Sequence, residues 1–328
     1  MQCNICGNKE NNQTFCVREM LFGYDQFTYF QCNQCNCLQI AEFPSDMTRY
    51  YPDDYYSISE HETVQSQAPA IPKWCHTLIG GPIVSTLHMP YLNGEGEKRL
   101  IKKALRFYLN DVHLSRQSSI LDVGCGSGSF LRALRKIGFT NLLGIDLYIR
   151  NDVDYDDGVT VRKGTIADLD STSEWDVITF HHSLEHMPDQ LETLQKVAQL
   201  LSPTGVCLIR IPTVPSYAWE HYGVNWVGLD APRHFYIHSV DSMRLLAEQA
   251  RLHLQKVVHD STSFQFWASE QRTRGIPIYS KNSFHPIFSQ AEMLVFEQRA
   301  KLLNRQQRGD QAAFSILPNT QTCRLTST

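Results

Sequence analysis

The stretch Ile120–Leu131, ILDVGCGSGSFL, constrains this 328-residue chain more than any other. Ile120–Val123 reads as a short buried strand. Three glycines follow, at 124, 126 and 128, and Phe130–Ile137 then repeats apolar residues at helical spacing. Strand, glycine turn and helix in that order bring backbone N–H groups and a helix N-terminus toward a ligand. Glycine suits the turn because a side chain would block the backbone's approach. Asp122 lies inside the strand end, and Asp146 closes the next apolar strand, Leu142–Ile145. An acidic residue about 20 positions beyond such a turn is placed to grip a pair of ribose hydroxyls.

The spacing separates two kinds of cofactor. A dinucleotide fingerprint puts its third glycine at the position of Ser129, whereas this chain has Gly128. The string Asp122-x-Gly124-x-Gly126-x-Gly128 resembles the first motif of class I S-adenosylmethionine (SAM) methyltransferases. That resemblance implies that the turn Gly124, Cys125, Gly126 and Gly128, with Asp122 behind it, accommodates the methionine part of SAM, and that Asp146 binds the ribose. It also puts Thr165 and Ile166, in GTIADL, where these enzymes contact adenine. Many relatives carry an acidic residue at the position of Thr165, so packing of Ile166 on the ring is the expected contact. LLSPTGVCLIRIP, residues 200–212, resembles the family's "LLxPGGxLxIxxP".

The segments around these motifs alternate. Strands are predicted at Val159–Arg162, Trp175–Phe180, Val206–Ile211, Leu254–Phe266 and Ala312–Leu317. Helices are predicted at Gln190–Leu201, 239–251 with Ser239 or Asp241 as cap, and Gln290–Gln306. An amphipathic helix is expected over 95–113. Such alternation implies an α/β, Rossmann-like sheet of seven mostly parallel strands covered on both faces. The resemblance spans roughly residues 95–318. It defines a methyltransferase domain over 94–328, with insertions at 213–238 and 271–308.

Ahead of that domain, Cys3-x-x-Cys6 and Cys32-x-x-Cys35 place four soft thiolates on two tight turns, the ligand set of a tetrahedral Zn²⁺. Phe15, Phe22, Tyr24, Phe27, Tyr29 and Phe30 lie between the pairs. A unit of residues 1–43 is too small to fold on its own core, and structural zinc would supply the missing stability. Cys37 is a competing ligand candidate, and Cys16 is expected to pack. Residues 44–93 read as an aromatic connector. Its YYPDDYY, residues 50–56, suits either stacking on a sugar or ring substrate or cementing the small unit to the large one.

Several classes are disfavoured. Three basic residues stand against eight acidic ones in residues 1–60, and the whole chain carries −4, so a nucleic-acid surface is not expected. The N-terminus MQCNICGNKE has no apolar leader, and the window Leu78–Leu92 is short and broken by Pro82 and Pro90, so no membrane insertion is expected. CxxC pairs without an export signal suggest a reducing cytoplasm and metal thiolates. The oligomeric state stays open.

The fourth predicted strand runs into HHSLEHMPD, residues 181–189. Ligands gather at the carboxyl ends of strands in open α/β sheets, so His181 is expected to line the SAM pocket. His182-x-x-Glu185-His186 matches an inverted zinc-protease string, but that motif needs a long helix and here follows a strand, with Pro188 close behind. Ubiquinone-pathway O-methyltransferases resemble this segment and hold a divalent metal with Glu, Glu and His; His182 replaces the first Glu. The alternative is that Glu185 and His186 brace the loop. DAPRHFYIH, residues 230–238, resembles a segment of zinc-bearing methyltransferases of polysaccharide and deoxysugar pathways, in which a histidine matching His234 serves as base. Arg233 replaces the preceding Glu of that family, and its HGGS string is missing around Phe264–Ser269, which counts against C-methylation. His234 and His182 are therefore the candidate catalytic residues, imidazole being best poised to accept a proton near neutral pH. Trp219, His221, Tyr222 and Trp226 either wall the acceptor site or form loop core.

The expected function is methyl transfer from SAM to a hydroxyl or activated carbon of a small molecule, a sugar or nucleotide-linked sugar foremost. Two alternatives are an RNA methyltransferase reading its substrate with the zinc unit, and a non-catalytic SAM-fold scaffold.

Overall fold

The computed structural model describes residues 1–20, 25–51, 114–280, 283–284 and 286–319. Most of the predicted connector, including residues 52–56 and the window Leu78–Leu92, and the helix expected over 95–113 lie outside the described residues.

The chain opens with three short strands, β1 (Gln13–Arg18), β2 (Gln26–Gln31) and β3 (Leu38–Ile40), paired antiparallel in that order. The large sheet follows. It contains β4 (Ser119–Val123), β5 (Asn141–Asp146), β6 (Val153–Asp154), β7 (Thr160–Lys163), β8 (Trp175–His181) and β9 (Leu201–Pro212). Then come β10 (Tyr236–Ile237), β11 (Leu252–His259), β12 (Tyr279–Ser280), β13 (Ser283–Phe284) and β14 (Gln311–Pro318). The helices are α1 (Ser129–Lys136), α2 (Gln190–Leu200), α3 (Tyr217–Tyr222), α4 (Val240–Gln249), α5 (Phe264–Thr273) and α6 (Gln290–Arg305).

The large sheet has eight strands in the order β11-β14-β9-β8-β4-β5-β7-β6. The core run from β9 to β7 is parallel, and β14 inserts antiparallel between β9 and β11. The eighth strand, absent from the seven expected, is the two-residue β6, which pairs antiparallel with β7 at the edge. The acidic stretch 147–158 is too polar to read as a strand, and pairing of Val153 with Val161 is what extends the sheet there. This is the Rossmann-like architecture expected from the alternation. Side chains divide it by period two. Ile120, Val177, Val206 and Leu208 pack with α1 on one face, while Leu121, Ile178, Phe180, Cys207 and Ile209 enter the larger core on the other.

Three boundaries move. β9 begins at Leu201, directly after α2, because the SPTG segment is held alongside Trp175 of β8 instead of forming a free turn. The strand expected over Leu254–Phe266 stops at His259, and Phe264 already starts α5; the apolar run FQFW serves a buried helix, which periodicity alone does not separate from a buried strand. α4 is capped by Ser239, whose hydroxyl accepts from the Ser242 amide.

The small sheet is completed from far along the chain. β10, within 213–238, pairs antiparallel with β3, Tyr236 opposite Gln39. One apolar core then runs from Cys3, Ile5 and Tyr29 through Phe235 and Ile237 to Leu121 and Phe180. Trp226 is fully buried, its indole N–H donating to Asp310, and Trp219 packs against Phe15 and donates to Gln31. The insertion's tryptophans are thus core. Cys16, expected to pack, is exposed on β1. Among the described residues, no helix is long and apolar enough to cross a membrane.

Candidate functional site

β4 is the point at which the sheet changes direction: the chain runs to β5 and β7 on one side and to β8 and β9 on the other. Crevices at such points receive ligands, at the carboxyl ends of the strands. Here the crevice lies between the glycine turn after β4 and the histidines that end β8.

The cofactor side is built locally. Gly124 has φ +74°, and a Cβ there would stand 2.4 Å from Ser183 Cβ, so this glycine is demanded by the chain's own packing as well as by any ligand. Gly126, with φ 52°, donates its amide to Asp146 Oδ2 at 2.9 Å. Asp146 Oδ1 accepts from the Tyr148 amide at 2.8 Å, which leaves lone pairs on both oxygens for ribose hydroxyls. Behind the turn, Asp122 is buried and accepts from the Thr179 hydroxyl at 2.7 Å; burial pushes its carboxyl up to about 7. Cys125 is wedged against Gly144, and burial raises its thiol. Thr165 is spent on Asp168, which accepts both its amide and its hydroxyl, whereas Ile166 offers a buried apolar surface. His181 packs edge-on to Phe130 at 4.6 Å, and neither ring nitrogen has a hydrogen-bond partner among the described residues. Burial drives its pKa down to about 3, so it is a neutral polar ring. A buried unpaired imidazole beside a glycine turn is what a bound polar cofactor would satisfy, and the residues present fit SAM.

The acceptor side is assembled from distant segments around Glu185. This carboxylate is fully buried, and among the described residues no well-aligned hydrogen bond reaches either oxygen. His182 Nδ1 lies 3.3 Å from Oε1, His234 Nε2 lies 3.9 Å from it, and His186 completes the group. Burial raises the Glu185 carboxyl, but the approach of His182 and the positive charges that His186, His182 and His234 can carry outweigh it and pull it to about 2. His186 itself is held down to about 4 by burial, so it is neutral near pH 7.

The tautomers follow from the surroundings. His234 Nδ1 donates to the Gly228 carbonyl at 2.9 Å, which turns Nε2 as a bare lone pair toward Glu185 and toward Asp230 Oδ2, 3.8 Å away. His186 Nδ1 donates to the Arg233 carbonyl at 2.9 Å and has Tyr51 Oη at 3.0 Å, so its Nε2 is bare too. The two rings meet edge-on at 4.7 Å. His182 differs. Its Nε2 accepts from Arg210 Nη1 at 2.8 Å, and Arg210 donates through Nε to Asp260 at 2.5 Å. Its lone pair is engaged by a cation and its Nδ1–H faces Glu185; it also holds φ 52°, a left-handed strain for a non-glycine residue.

The N-terminal segment clamps this half. Tyr29 Oη donates to the His234 carbonyl at 2.7 Å. Arg233, fully buried, forks onto Asp230, with Nη2–Oδ1 at 2.5 Å, and also donates to Glu19 at 2.9 Å. Arg233 lowers the Asp230 carboxyl to about 2 against the burial that raises it.

Further from the crevice, the four predicted cysteines converge. Cys3 Sγ lies 3.6 Å from Cys35 Sγ and Cys6 Sγ 3.4 Å from Cys32 Sγ, and all four sulfurs fall within 4.8 Å of one another. A tetrahedral Zn–S₄ centre has edges of about 3.8 Å. The hydrogen bond with Cys35 lowers the Cys3 thiol to about 4. Cys37, fully buried, stays outside the group, its thiol raised by burial.

Sequence reasoning missed Arg210 and Asp260; it singled out Tyr51 only as part of the 50–56 aromatic run, and left Glu185 between a metal ligand and a loop brace. A signal existed for Arg210: it is a lone charge in the apolar strand VCLIRIP. None pointed to Asp260, which meets Arg210 only because β11 and β14 fold back beside β9.

A glycine turn and an acidic residue at the switch point of this sheet, facing a histidine cluster, are the architecture of a class I SAM-dependent methyltransferase. The comparisons agree: residues 93–257, just over half of the chain, match the family model described as a methyltransferase domain, and the chain belongs to that family. Among curated relatives, it is 37% identical over 100 residues to the ubiquinone biosynthesis O-methyltransferase of Actinobacillus pleuropneumoniae, covering 26% of this chain and 42% of that one. It is 27% identical over 173 residues to that of Psychrobacter cryohalolentis, covering 46% and 66%. The chain therefore spans less than two thirds of the length of these relatives. Among solved structures, it is similar to a SAM-dependent methyltransferase from Archaeoglobus fulgidus (19% identity, 67% and 93% covered, TM-score 0.41). It is also similar to a cyclopropane synthase from Mycobacterium tuberculosis (15% identity, 70% and 87% covered, TM-score 0.43).

Proposed function

We propose that this chain methylates a hydroxyl group of a small polar acceptor, with a sugar or nucleotide-linked sugar as the class to test first. SAM supplies an electrophilic methyl group on a sulfonium. The protein's part is to hold the acceptor oxygen in line, exclude water and take up the hydroxyl proton. His234 Nε2 is the proposed base: the O–H bond breaks as the O–C bond forms, and the proton goes to Nε2. The observation that carries this reading is the bare Nε2 between Glu185 and Asp230, two carboxylates that stabilise the resulting imidazolium. His182 is proposed as a positioning group, since Arg210 occupies its lone pair. Asp122, Gly124, Cys125, Gly126, Gly128, Asp146, Ile166 and His181 are the proposed cofactor contacts, with Thr165 shaping the adenine turn. The three imidazoles and the Tyr51 hydroxyl of the acceptor side favour a polyhydroxylated acceptor, and the names of the curated relatives favour O- over C-methylation.

A second reading is favoured by Glu185, whose close neighbours are imidazoles and which has no well-aligned hydrogen bond among the described residues. A buried carboxylate so weakly satisfied is costly unless a cation stands nearby. Glu185, His186 and His234 would hold a divalent metal there, with the carbonyls of Arg233 and Gly228 orienting the imidazoles. Metal would then lower the pKa of the acceptor hydroxyl in place of a free base.

We further propose that Cys3, Cys6, Cys32 and Cys35 hold a structural Zn²⁺, that residues 1–43 act with 213–238 as one unit, and that 44–93 is a connector. The domain over 94–328 and a cytoplasmic setting complete this reading. The test is a panel of nucleotide sugars, free sugars, catechols and RNA with isotope-labelled SAM, in metal-free buffer and with added Mg²⁺ or Zn²⁺. Label in a sugar class supports the proposal and label in catechol alone redirects it. Label in RNA alone, or no SAM binding by calorimetry, refutes it.

A further inference from the structure

Tyr51 joins the two halves of the crevice. Its ring stacks on Tyr148, centroid to centroid 5.0 Å with planes 22° apart. Tyr148 follows Asp146 by two residues, and its amide is the one bound to Asp146 Oδ1. On the other side, Tyr51 Oη lies 3.0 Å from His186 Nδ1. That nitrogen has one hydrogen, already directed at the Arg233 carbonyl, so the hydrogen is shared and the phenol oxygen accepts. The bifurcated bond fixes the tautomer that turns His186 Nε2 toward Glu185, and His186 packs on His234. Tyr51 itself is placed by the N-terminal unit: the carbonyl of Tyr50 accepts from Arg233 Nη1, and the Tyr50 hydroxyl donates to Asp25 at 2.7 Å.

We propose that Tyr51 is a positioning residue that couples the ribose corner of the cofactor site to the acceptor histidines. Resting on the cofactor reading above, this gives the start of the connector, held by the N-terminal unit through Tyr50, a part in the reaction: it carries the one side chain, among the described residues, seen to bridge Tyr148 and His186. A ligand settling on Asp146 must accommodate Tyr148, and the stack passes that adjustment through Tyr51 to the His186 ring. The phenyl ring does the holding on the cofactor side, and the phenol oxygen does it on the acceptor side. The two contributions are therefore separable by substitution.

The test uses the full chain with ring-labelled histidine and S-adenosylhomocysteine as probe. Calorimetry reads the affinity, and nitrogen-15 spectra read the His186 ring, assigned by His186→Gln. In the wild type the probe should bind and shift the His186 signals. Tyr51→Phe keeps the stack, so affinity should stay within about twofold while the shift on binding is largely lost with the hydrogen bond. Tyr51→Ala removes both, and affinity should fall about three- to tenfold, the range of a lost aromatic pair. Tyr51→Trp restores a stacking ring and should recover affinity without recovering the shift. Wild-type affinity in Tyr51→Ala, or an undiminished His186 shift in Tyr51→Phe, overturns the proposal. If the wild type binds no probe, the cofactor reading falls and this proposal with it, whereas a binding wild type with indifferent variants leaves that reading standing.

Discussion

The two halves of the crevice are built by opposite means. On the proposed cofactor side, the turn, Asp122 behind it and Asp146 beyond it lie within the stretch from Asp122 to Asp146, and the key bond runs from Gly126 to Asp146. On the proposed acceptor side, the imidazoles around Glu185 come from just past β8 and from the 228–238 loop, and they are braced in turn by Arg210 of β9, by Asp260 past β11 and, directly or through Arg233, by Tyr29, Glu19 and Tyr51. A local site survives most changes elsewhere. A site assembled across the chain inherits the stability of every segment that supports it.

The sharpest way to break the acceptor half alone is to remove the proposed zinc. Serine at Cys3 and Cys32 together should abolish a one-per-chain zinc content read by elemental analysis. It should also unravel the β1–β3 sheet that anchors His234 and end methyl transfer. Binding of S-adenosylhomocysteine should fall by no more than the roughly three- to tenfold expected from losing the Tyr51 stack, because metal-coupled folding is confined to the unit that needs it. Equal loss of both would show that the halves are not separate.

Gly126→Val is the converse experiment. A branched residue at φ 52° is strained and fills the turn, so binding of S-adenosylhomocysteine should become undetectable by calorimetry while zinc content is unchanged. His234→Ala should lower turnover by about 10² to 10⁴, the usual worth of a general base, with cofactor affinity unaltered. Unchanged turnover would remove His234 from the chemistry.

The smallest effect concerns pH. Asp122, raised to about 7, holds a proton in the folded chain that the unfolded chain has already released, so its contribution to stability falls as pH rises from about 4 to 7. His181 and His238, lowered to about 3 and about 4 by burial, refuse protons that the unfolded chain accepts. Their contribution is lost as pH falls from 6.5 toward 4. Asp122→Asn keeps an acceptor for Thr179 and deletes only the first trend. Its Tm should rise steadily from pH 4 to 7, by several degrees more than the wild type's does.

Legibility followed sequence distance. The strand, turn and helix from Ser119 to Lys136 are readable because hydrophobic period and glycine placement are local signals. The convergence of the cysteine pairs is readable because two Cys-x-x-Cys turns are the spacing that a four-thiolate metal site would need. Even so, Gly124 proved to answer to Ser183 as much as to a ligand, and the tryptophans of the 213–238 insertion, readable as either wall or core, proved to be core.

Residue order alone was enough for the class of fold, the cofactor turn and the cysteine tetrad, since each is a short-range pattern with its own stereochemistry. Folding in three dimensions was needed to show that β10 belongs to the N-terminal sheet, that Arg210 takes the lone pair of His182, and that Glu185 sits buried among three imidazoles. Those facts depend on which segments pack together when the apolar faces close into one core, and no local spacing encodes such a meeting.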